Sequence, residues 1–148
     1  MNDEERESQD HDDTAGAQRF YRIIPAPTSR LEDFQSDQEA GKPLPRNPEY
    51  VRYWRGRSVY STMEAARGNV AARKARAASR GEAWREQYIA EVTIRPESPI
   101  NYEQSGRNEE HFTLWGDTRD VFDCVTKVLP GSVGGGGANN GNVLPALE

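Results

Sequence analysis

The sequence predicts a single small α+β domain with a mixed or antiparallel sheet and with helices clustered in its first half. The chain has 148 residues, a length that suggests one domain. Helix-favouring segments come mainly before residue 81 and short β-branched segments dominate after it, a separation typical of α+β folds. Only 34% of the residues are hydrophobic and the mean hydropathy is −0.93, so part of the chain should lie outside any core.

The two ends of the chain are the segments that we expect to lie outside the core. Residues 1–18 hold seven acidic residues against one basic residue, and four consecutive glycines mark residues 131–148. Neither segment can bury enough apolar surface to offset the entropy lost on ordering. We therefore predict a disordered acidic head (1–18), a folded domain (19–130) and a flexible glycine-rich tail (131–148).

The first predicted element is a strand at residues 19–24, where aromatic and β-branched residues precede Pro25. Successive side chains of a strand point to opposite faces. Arg22 should therefore share a face with the apolar residues Phe20 and Ile24.

Two helices are predicted next. Ser29 and Glu32 have the spacing of a capping box, which predicts a helix at residues 30–40. Asn47 followed by Pro48 is typical of an N-cap and a first helical residue, so a short helix should follow and end at Gly56.

A second strand at residues 57–61 should lead into the longest helix. Ser61 and Glu64 form another potential capping box, and the segment up to Arg80 is rich in alanine and arginine, which favours helix. An apolar stripe recurs at helical spacing and consists of Met63, Ala66, Val70 and Ala77.

The second half of the chain should form four short strands and one short helix. Residues 87–95 alternate clearly and end at Pro96, which makes them the best-defined strand. The other predicted strands are residues 100–102, 111–115 and 125–129. Asp117 is expected to cap a helix that runs to Phe122.

Several classes of protein are disfavoured by composition. Cys124 is the single cysteine, so no intramolecular disulfide can form, which fits a reducing compartment. There is no run of 18 apolar residues and no signal peptide at the start, so we predict a cytoplasmic protein without membrane contact. One cysteine with His11 and His111 does not make a standard zinc site, and no metal is predicted.

Polar residues at the ends of several predicted strands are the first candidates for a functional site. Arg22 presents a planar fork of donors that suits a phosphate. The run Tyr60-Ser61-Thr62 stands where a strand opens into a helix, a place where hydroxyls and free amides bind anions. Glu110 or His111 could act as an acid, a base or an acceptor from a ribose hydroxyl.

Each of these residues also has an ordinary structural explanation. Arg22 could form an ion pair, Ser61 is accounted for as an N-cap, and His111 could be exposed or hydrogen-bonded within the fold. The residue types alone leave both readings open.

A Tyr-Arg-Ile first strand, a Val-Tyr-Ser-Thr second strand and an alanine-rich helix directly after it resemble the ADP-ribosyltransferase superfamily. The similarity is to compact branches such as the RES-domain toxins and the tRNA 2′-phosphotransferases. In that superfamily the first strand supplies Arg or His for NAD, and the Ser/Thr motif braces the nicotinamide site.

The resemblance implies an enzyme that binds NAD as its substrate and cleaves it or transfers from it. NAD would contact Arg22, Tyr60, Ser61 and Thr62, with His111 or Glu110 as the catalytic group. The Glu-x-Glu motif of the classical transferring toxins is absent, because Glu109-Glu110-His111 has another spacing near the expected place. The acceptor is therefore not implied.

An alternative hypothesis follows from charge. Residues 46–80 contain nine basic and two acidic residues, with aromatic residues between them, a composition that can bind nucleic-acid phosphates and stack bases. The chain would then be a non-catalytic module for nucleic acid or an acidic protein partner. Its binding residues would be Arg52, Arg55, Arg73, Arg76 and Arg80. The same residues could instead pair internally with residues 97–123, which hold seven acidic residues and two arginines.

Overall fold

A computed structural model describes residues 16–132, which form a six-stranded sheet and three α-helices. The strands are β1 (Gln18–Ile24), β2 (Arg57–Tyr60), β3 (Tyr88–Ile94), β4 (Asn101–Gln104), β5 (His111–Trp115) and β6 (Val125–Pro130). The helices are α1 (Pro48–Trp54), α2 (Met63–Ser79) and α3 (Thr118–Asp123). The predicted α+β class is confirmed. The predicted acidic head and glycine-rich tail lie almost entirely outside the described residues.

The strands follow the order β4-β5-β2-β1-β3-β6, and every neighbouring pair is antiparallel. The central strands β1 and β3 pair along their whole length, from Gln18 opposite Ile94 to Ile24 opposite Tyr88. In contrast, β1 and β2 are paired at a single position, where Tyr21 lies opposite Tyr60. The sheet is therefore open between β1 and β2 beyond this one pair.

Both faces of the sheet are covered, and together they make the core. On one face Phe20, Val92 and Leu114 are fully buried against Phe34 and against Val121 of α3. On the other face the predicted apolar stripe of α2 packs against the sheet and buries Ala66 and Val70 beside Tyr60 and Ile89. Burial of each large apolar side chain stabilises the fold by about 1.5–3 kcal/mol. No helix within residues 16–132 is long and apolar enough to cross a bilayer.

The prediction of a helix at residues 30–40 is wrong. The structure has a single 3-10 turn at Leu31–Phe34, followed by turns that are not helical. The carbonyls of residues 33–35 accept hydrogen bonds from the side chains of Arg22 and Arg57. An α-helix would need these carbonyls for amides four residues further along. The cap also differs from the predicted one. The Arg30 amide donates to the Asp33 carboxylate at 2.8 Å, and the expected capping box of Ser29 and Glu32 is not formed.

The N-cap of α2 is also one residue away from its predicted place. The hydroxyl of Thr62, not that of Ser61, accepts a hydrogen bond from the Ala65 amide at 3.0 Å. The Ser61 amide instead donates to the Glu110 carbonyl at 2.8 Å and continues the β2–β5 pairing. The caps predicted for the two short helices, Asn47 and Asp117, are confirmed.

Candidate functional site

Two adjoining pockets lie where α1, α2 and the segment after the 3-10 turn meet the sheet. The first, which we call the cationic pocket, has a volume of about 220 Å³ and is lined by Arg22, Asp37, Lys42, Ser58, Tyr60 and Arg73, among others. The second, the aromatic groove, has a volume of about 490 Å³, and its walls include Tyr50, Tyr53, Trp54 and His111. Three residues line both spaces, namely Asp37, Lys42 and Ser58. The two pockets therefore adjoin each other.

The register of β2 against β5 explains which side chains reach this site. Ser58 lies opposite Thr113, and Tyr60 lies opposite His111. Cross-strand partners share a face of the sheet. The Tyr60 and His111 rings make an edge-to-face contact with their centroids 5.5 Å apart. Two of the residues singled out from the sequence are thus direct neighbours.

Arg22 bridges the opening between β1 and β2. Its Nε donates to the Asp33 carbonyl at 2.8 Å, Nη1 to the Ser58 carbonyl at 2.8 Å and Nη2 to the Gln35 carbonyl at 3.4 Å. A guanidinium has five N–H donors, so one remains on each terminal nitrogen. Arg22 therefore has a structural role and keeps two donors beside the cationic pocket.

The cationic pocket holds more positive than negative charge. Three cations, Arg22, Lys42 and Arg73, face the single carboxylate of Asp37, which gives a net charge of +2 among these lining residues. Within residues 16–132 only Lys42 of these cations has a carboxylate partner, with Nζ 3.4 Å from Asp37 Oδ1. Arg73 Nη1 contacts the neutral Gln87 at 3.4 Å. An anionic ligand would relieve this excess.

The pKa values of two pocket residues reflect this environment. Burial, and next the charge of Arg57, lowers the pKa of Arg22 to about 10, and Arg73 contributes in the same direction. Burial raises the pKa of Tyr60, whereas the charge of Arg73 opposes that rise. These directions agree with the position of Arg73, which lines the same pocket as Arg22 and Tyr60.

Thr62 and Glu110 join the end of β2 to the start of β5. The Thr62 hydroxyl donates to Glu110 Oε1 at 2.5 Å, and the Ser61 amide donates to the Glu110 carbonyl at 2.8 Å. The Glu110 amide is held in turn by Asn108 Oδ1 at 2.9 Å. Glu110 is exposed, and its Oε2 has no hydrogen-bond partner within the described part of the chain. The carboxylate is therefore fixed by one oxygen and open at the other.

The hydrogen bonds of His111 within the described residues all involve Nδ1. Its Nδ1 lies 3.1 Å from the Ser105 carbonyl oxygen and 3.0 Å from the Ser105 hydroxyl. A carbonyl can only accept, so the bond to it requires a proton on Nδ1, and in a neutral ring with that proton Nε2 would be an acceptor. No residue among 16–132 donates to or accepts from Nε2. His111 lines the aromatic groove, and its Nε2 has no hydrogen-bond partner within the described residues.

The structure places the sequence-predicted residues in two adjoining groups. Arg22 and Tyr60 line the cationic pocket, and Tyr60 contacts His111. Ser61, Thr62 and Glu110 form the hydrogen-bonded junction directly after Tyr60. Sequence reasoning missed Asp37 and Lys42, and it assigned Arg73 only to the nucleic-acid alternative. Their places beside Arg22 and Tyr60 in the pocket lining depend on the tertiary fold, and no local motif signals them.

The residues of the nucleic-acid alternative are divided between different surfaces. Arg52 pairs with Glu103, with Nη1 3.2 Å from Oε2, and its guanidinium lies 4.7 Å from the centroid of Trp115. Arg52 and Arg55 line a separate groove of about 740 Å³ beside β4. Arg73 lines the cationic pocket, whereas Arg76 is exposed on α2 and Arg80 is exposed at its C-cap. Nucleic-acid binding by this set stays a prediction.

No protein-family model matches the sequence, and no curated protein or solved structure is significantly similar to it. The resemblance to the ADP-ribosyltransferase superfamily therefore stays a prediction that rests on the quoted strand motifs. The functional argument starts from the geometry of the site.

Proposed function

We propose that the chain binds NAD in the cationic pocket and the aromatic groove and breaks its nicotinamide–ribose bond. ADP-ribose would then pass to water or to another acceptor. One observation carries this proposal. Arg22 of β1, Tyr60 at the end of β2 and His111 at the start of β5 come from distant parts of the chain and line two adjoining pockets. Glu110, which accepts a hydrogen bond from Thr62, lies directly before His111 in the chain.

The charge of the pocket supports the binding of a dinucleotide. NAD has one negative charge on each of its two phosphates, which complements the net charge of +2 on the pocket-lining residues. Arg22 offers one free N–H on each terminal nitrogen, and Arg73 offers a guanidinium without a carboxylate partner in residues 16–132. Tyr50, Tyr53 and Trp54 supply ring faces for a base in the adjoining groove. Stacking of a base on an aromatic side chain contributes about 1–3 kcal/mol.

The Glu110 carboxylate and His111 provide the chemistry that the reaction needs. When the bond between nicotinamide and C1′ of the ribose breaks, its electron pair leaves with nicotinamide, and positive charge develops on the sugar. The open Oε2 of Glu110 can accept from a ribose hydroxyl and stabilise that charge. Water or another acceptor then bonds to C1′, and His111 Nε2 takes its proton and returns it to solvent.

The first test is nicotinamide release from NAD by the purified chain and by Glu110→Gln. We expect the parent to release nicotinamide and the variant to lose about 10²–10⁴-fold in rate, because the amide keeps the shape but not the charge. Glu109→Gln is the matched control, since Glu109 is the adjacent exposed acid and forms no hydrogen bond within the described residues. Equal rates for parent and Glu110→Gln would contradict the role of Glu110. Absence of both release and an NAD-dependent rise in melting temperature would refute the proposed function.

A second candidate function is binding of nucleic acid through α2. The observation in its favour is that Arg76 and Arg80 are exposed and have no carboxylate partner within residues 16–132. Such arginines can bind phosphates without any pocket. The two candidate functions use different residues, so variants can separate them.

A further inference from the structure

We infer that Asp37 makes the cationic pocket selective for diphosphates that are esterified at both ends and disfavours ligands with a terminal phosphate. This inference rests on the proposed function, because it concerns the ligand of the same pocket. It adds a residue and a rule of selectivity that neither the strand motifs nor the basic segment predicts.

Asp37 stands at the junction of the two parts of the site. It lines both the cationic pocket and the aromatic groove, as does its ion-pair partner Lys42. A tight turn sets these two side chains against each other, since the Lys42 amide donates to the Asp37 carbonyl at 3.0 Å. Side-chain exposure is 53% for Asp37 and 65% for Lys42, so an incoming ligand can reach both groups.

The turn that presents Asp37 is anchored to the body of the domain. The carboxylate of Glu39 accepts hydrogen bonds from the Ser36 amide at 2.9 Å and from the Thr118 hydroxyl at 2.7 Å. It also forms an ion pair with the buried Arg57 at 3.3 Å. Arg57 in turn donates to the Phe34 carbonyl, just before this turn. Asp37 is therefore held at the pocket by a network that does not include the ligand.

The charge of Asp37 sets the preference. Among the described residues that line the cationic pocket, Asp37 is the only carboxylate. A diphosphate esterified at both ends brings one negative charge per phosphate, which the net charge of +2 balances. A terminal phosphate carries about −1.5 to −2 at neutral pH, so it adds negative charge close to the Asp37 carboxylate. At separations of a few ångströms near a protein surface, one such repulsion changes affinity on the order of tenfold.

The decisive experiment compares ADP-ribose with ADP by isothermal titration calorimetry on the full chain and on Asp37→Asn. Both ligands contain the same adenosine diphosphate, but only ADP ends in a free phosphate. Asparagine keeps the size of the side chain, removes the repulsion and releases Lys42. We expect the parent to bind ADP-ribose more tightly, and we expect Asp37→Asn to shift the ratio of the two dissociation constants towards ADP on the order of tenfold.

Glu32→Gln is the control, because Glu32 is an exposed carboxylate on the neighbouring 3-10 turn that does not line either pocket. We expect it to leave the ratio unchanged. If the parent binds both ligands and Asp37→Asn leaves their ratio at the parent value, the inference about Asp37 is overturned and the proposed function stands. If the parent binds neither ligand, the proposed function fails and the inference fails with it.

Discussion

At the scale of single residues, two strand arginines decide the local structure around the site. Arg57 is almost fully buried and bonds to main-chain carbonyls, to Glu39 and to Thr118. Arg22 bonds to three carbonyls and still lines the cationic pocket. The sequence predicts that Arg22 shares a face with apolar residues, but it does not say what the guanidinium binds there. That depends on carbonyls 11 to 36 residues away.

The ionisation of Glu39 makes the stability of this network depend on pH. The Ser36 amide, and after it the Thr118 and Ser36 hydroxyls and the charge of Arg57, hold the pKa of Glu39 below its ordinary value, although partial burial opposes this. The unfolded chain therefore takes up a proton at higher pH than the folded chain does. The stability that ionised Glu39 contributes is present above its ordinary pKa and is lost as the pH falls through the lowered one.

We expect Glu39→Gln to lower the free energy of unfolding by about 1 kcal/mol at pH 7, since it weakens hydrogen bonds to a charged acceptor. The difference in the free energy of unfolding between this variant and the parent should shrink as the pH falls below about 4. Urea unfolding at pH 7, 5 and 3 measures this, with Glu32→Gln as an exposed control on the same segment. A difference that stays constant over this range would show that the charge of Glu39 is not the stabilising feature.

At the scale of elements, most of the fold follows from local sequence patterns. The strands were predictable from alternation, and Asn47 and Asp117 from cap chemistry, because these signals lie within a few residues. The segment at residues 30–40 was not predictable in this way. Its helical pattern is overridden by Arg22 and Arg57, which reach its carbonyls from β1 and β2. Likewise the choice of Thr62 over Ser61 as a cap depends on pairing of Ser61 with β5.

The close approach of β2 to β5 gives a prediction at this scale. Gly56 lies between α1 and β2, and a Cβ placed there would come within 2.3 Å of the Thr113 methyl group and 2.8 Å of the Leu114 carbonyl oxygen. We expect Gly56→Ala to destabilise the fold by about 1–3 kcal/mol, since the backbone must move.

Gly68→Ala is the matched substitution within α2. Apart from its chain neighbours and the backbone of its own helix, no atom of the described residues lies within 4 Å of a Cβ added at this position. We expect a gain of about 0.5–1 kcal/mol, because alanine loses less backbone entropy than glycine in a helix. Thermal and urea unfolding of both variants tests the pair. A neutral Gly56→Ala would mean that β2 and β5 are not in close contact at this point.

At the scale of the whole molecule, the site is a product of topology. Lys42, Arg73 and Asp37 meet Arg22 because the sheet opens between β1 and β2, and because α2 and the turn after residue 35 close around that opening. Tyr60, Ser61 and Thr62 could be singled out from the sequence, since they lie at a recognisable boundary between a strand and a helix. The pocket charges were not, because their net value of +2 exists only after distant segments come together.

The same architecture separates the two candidate functions by salt dependence. A ligand enclosed by Arg73 and Arg22 should respond to salt far less than a nucleic-acid strand on exposed arginines, for which affinity falls steeply with ionic strength. We expect Arg73→Gln to reduce the NAD-induced rise in melting temperature. The double variant Arg76→Gln, Arg80→Gln should keep this rise at both about 50 mM and about 200 mM salt, the range over which contacts with nucleic-acid phosphates weaken. The double variant is a matched control, since Arg76 lies on the same helix and Arg80 caps it, and both are exposed. If the double variant removes the response to NAD and Arg73→Gln does not, the exposed face of α2, and not the cationic pocket, is the functional surface.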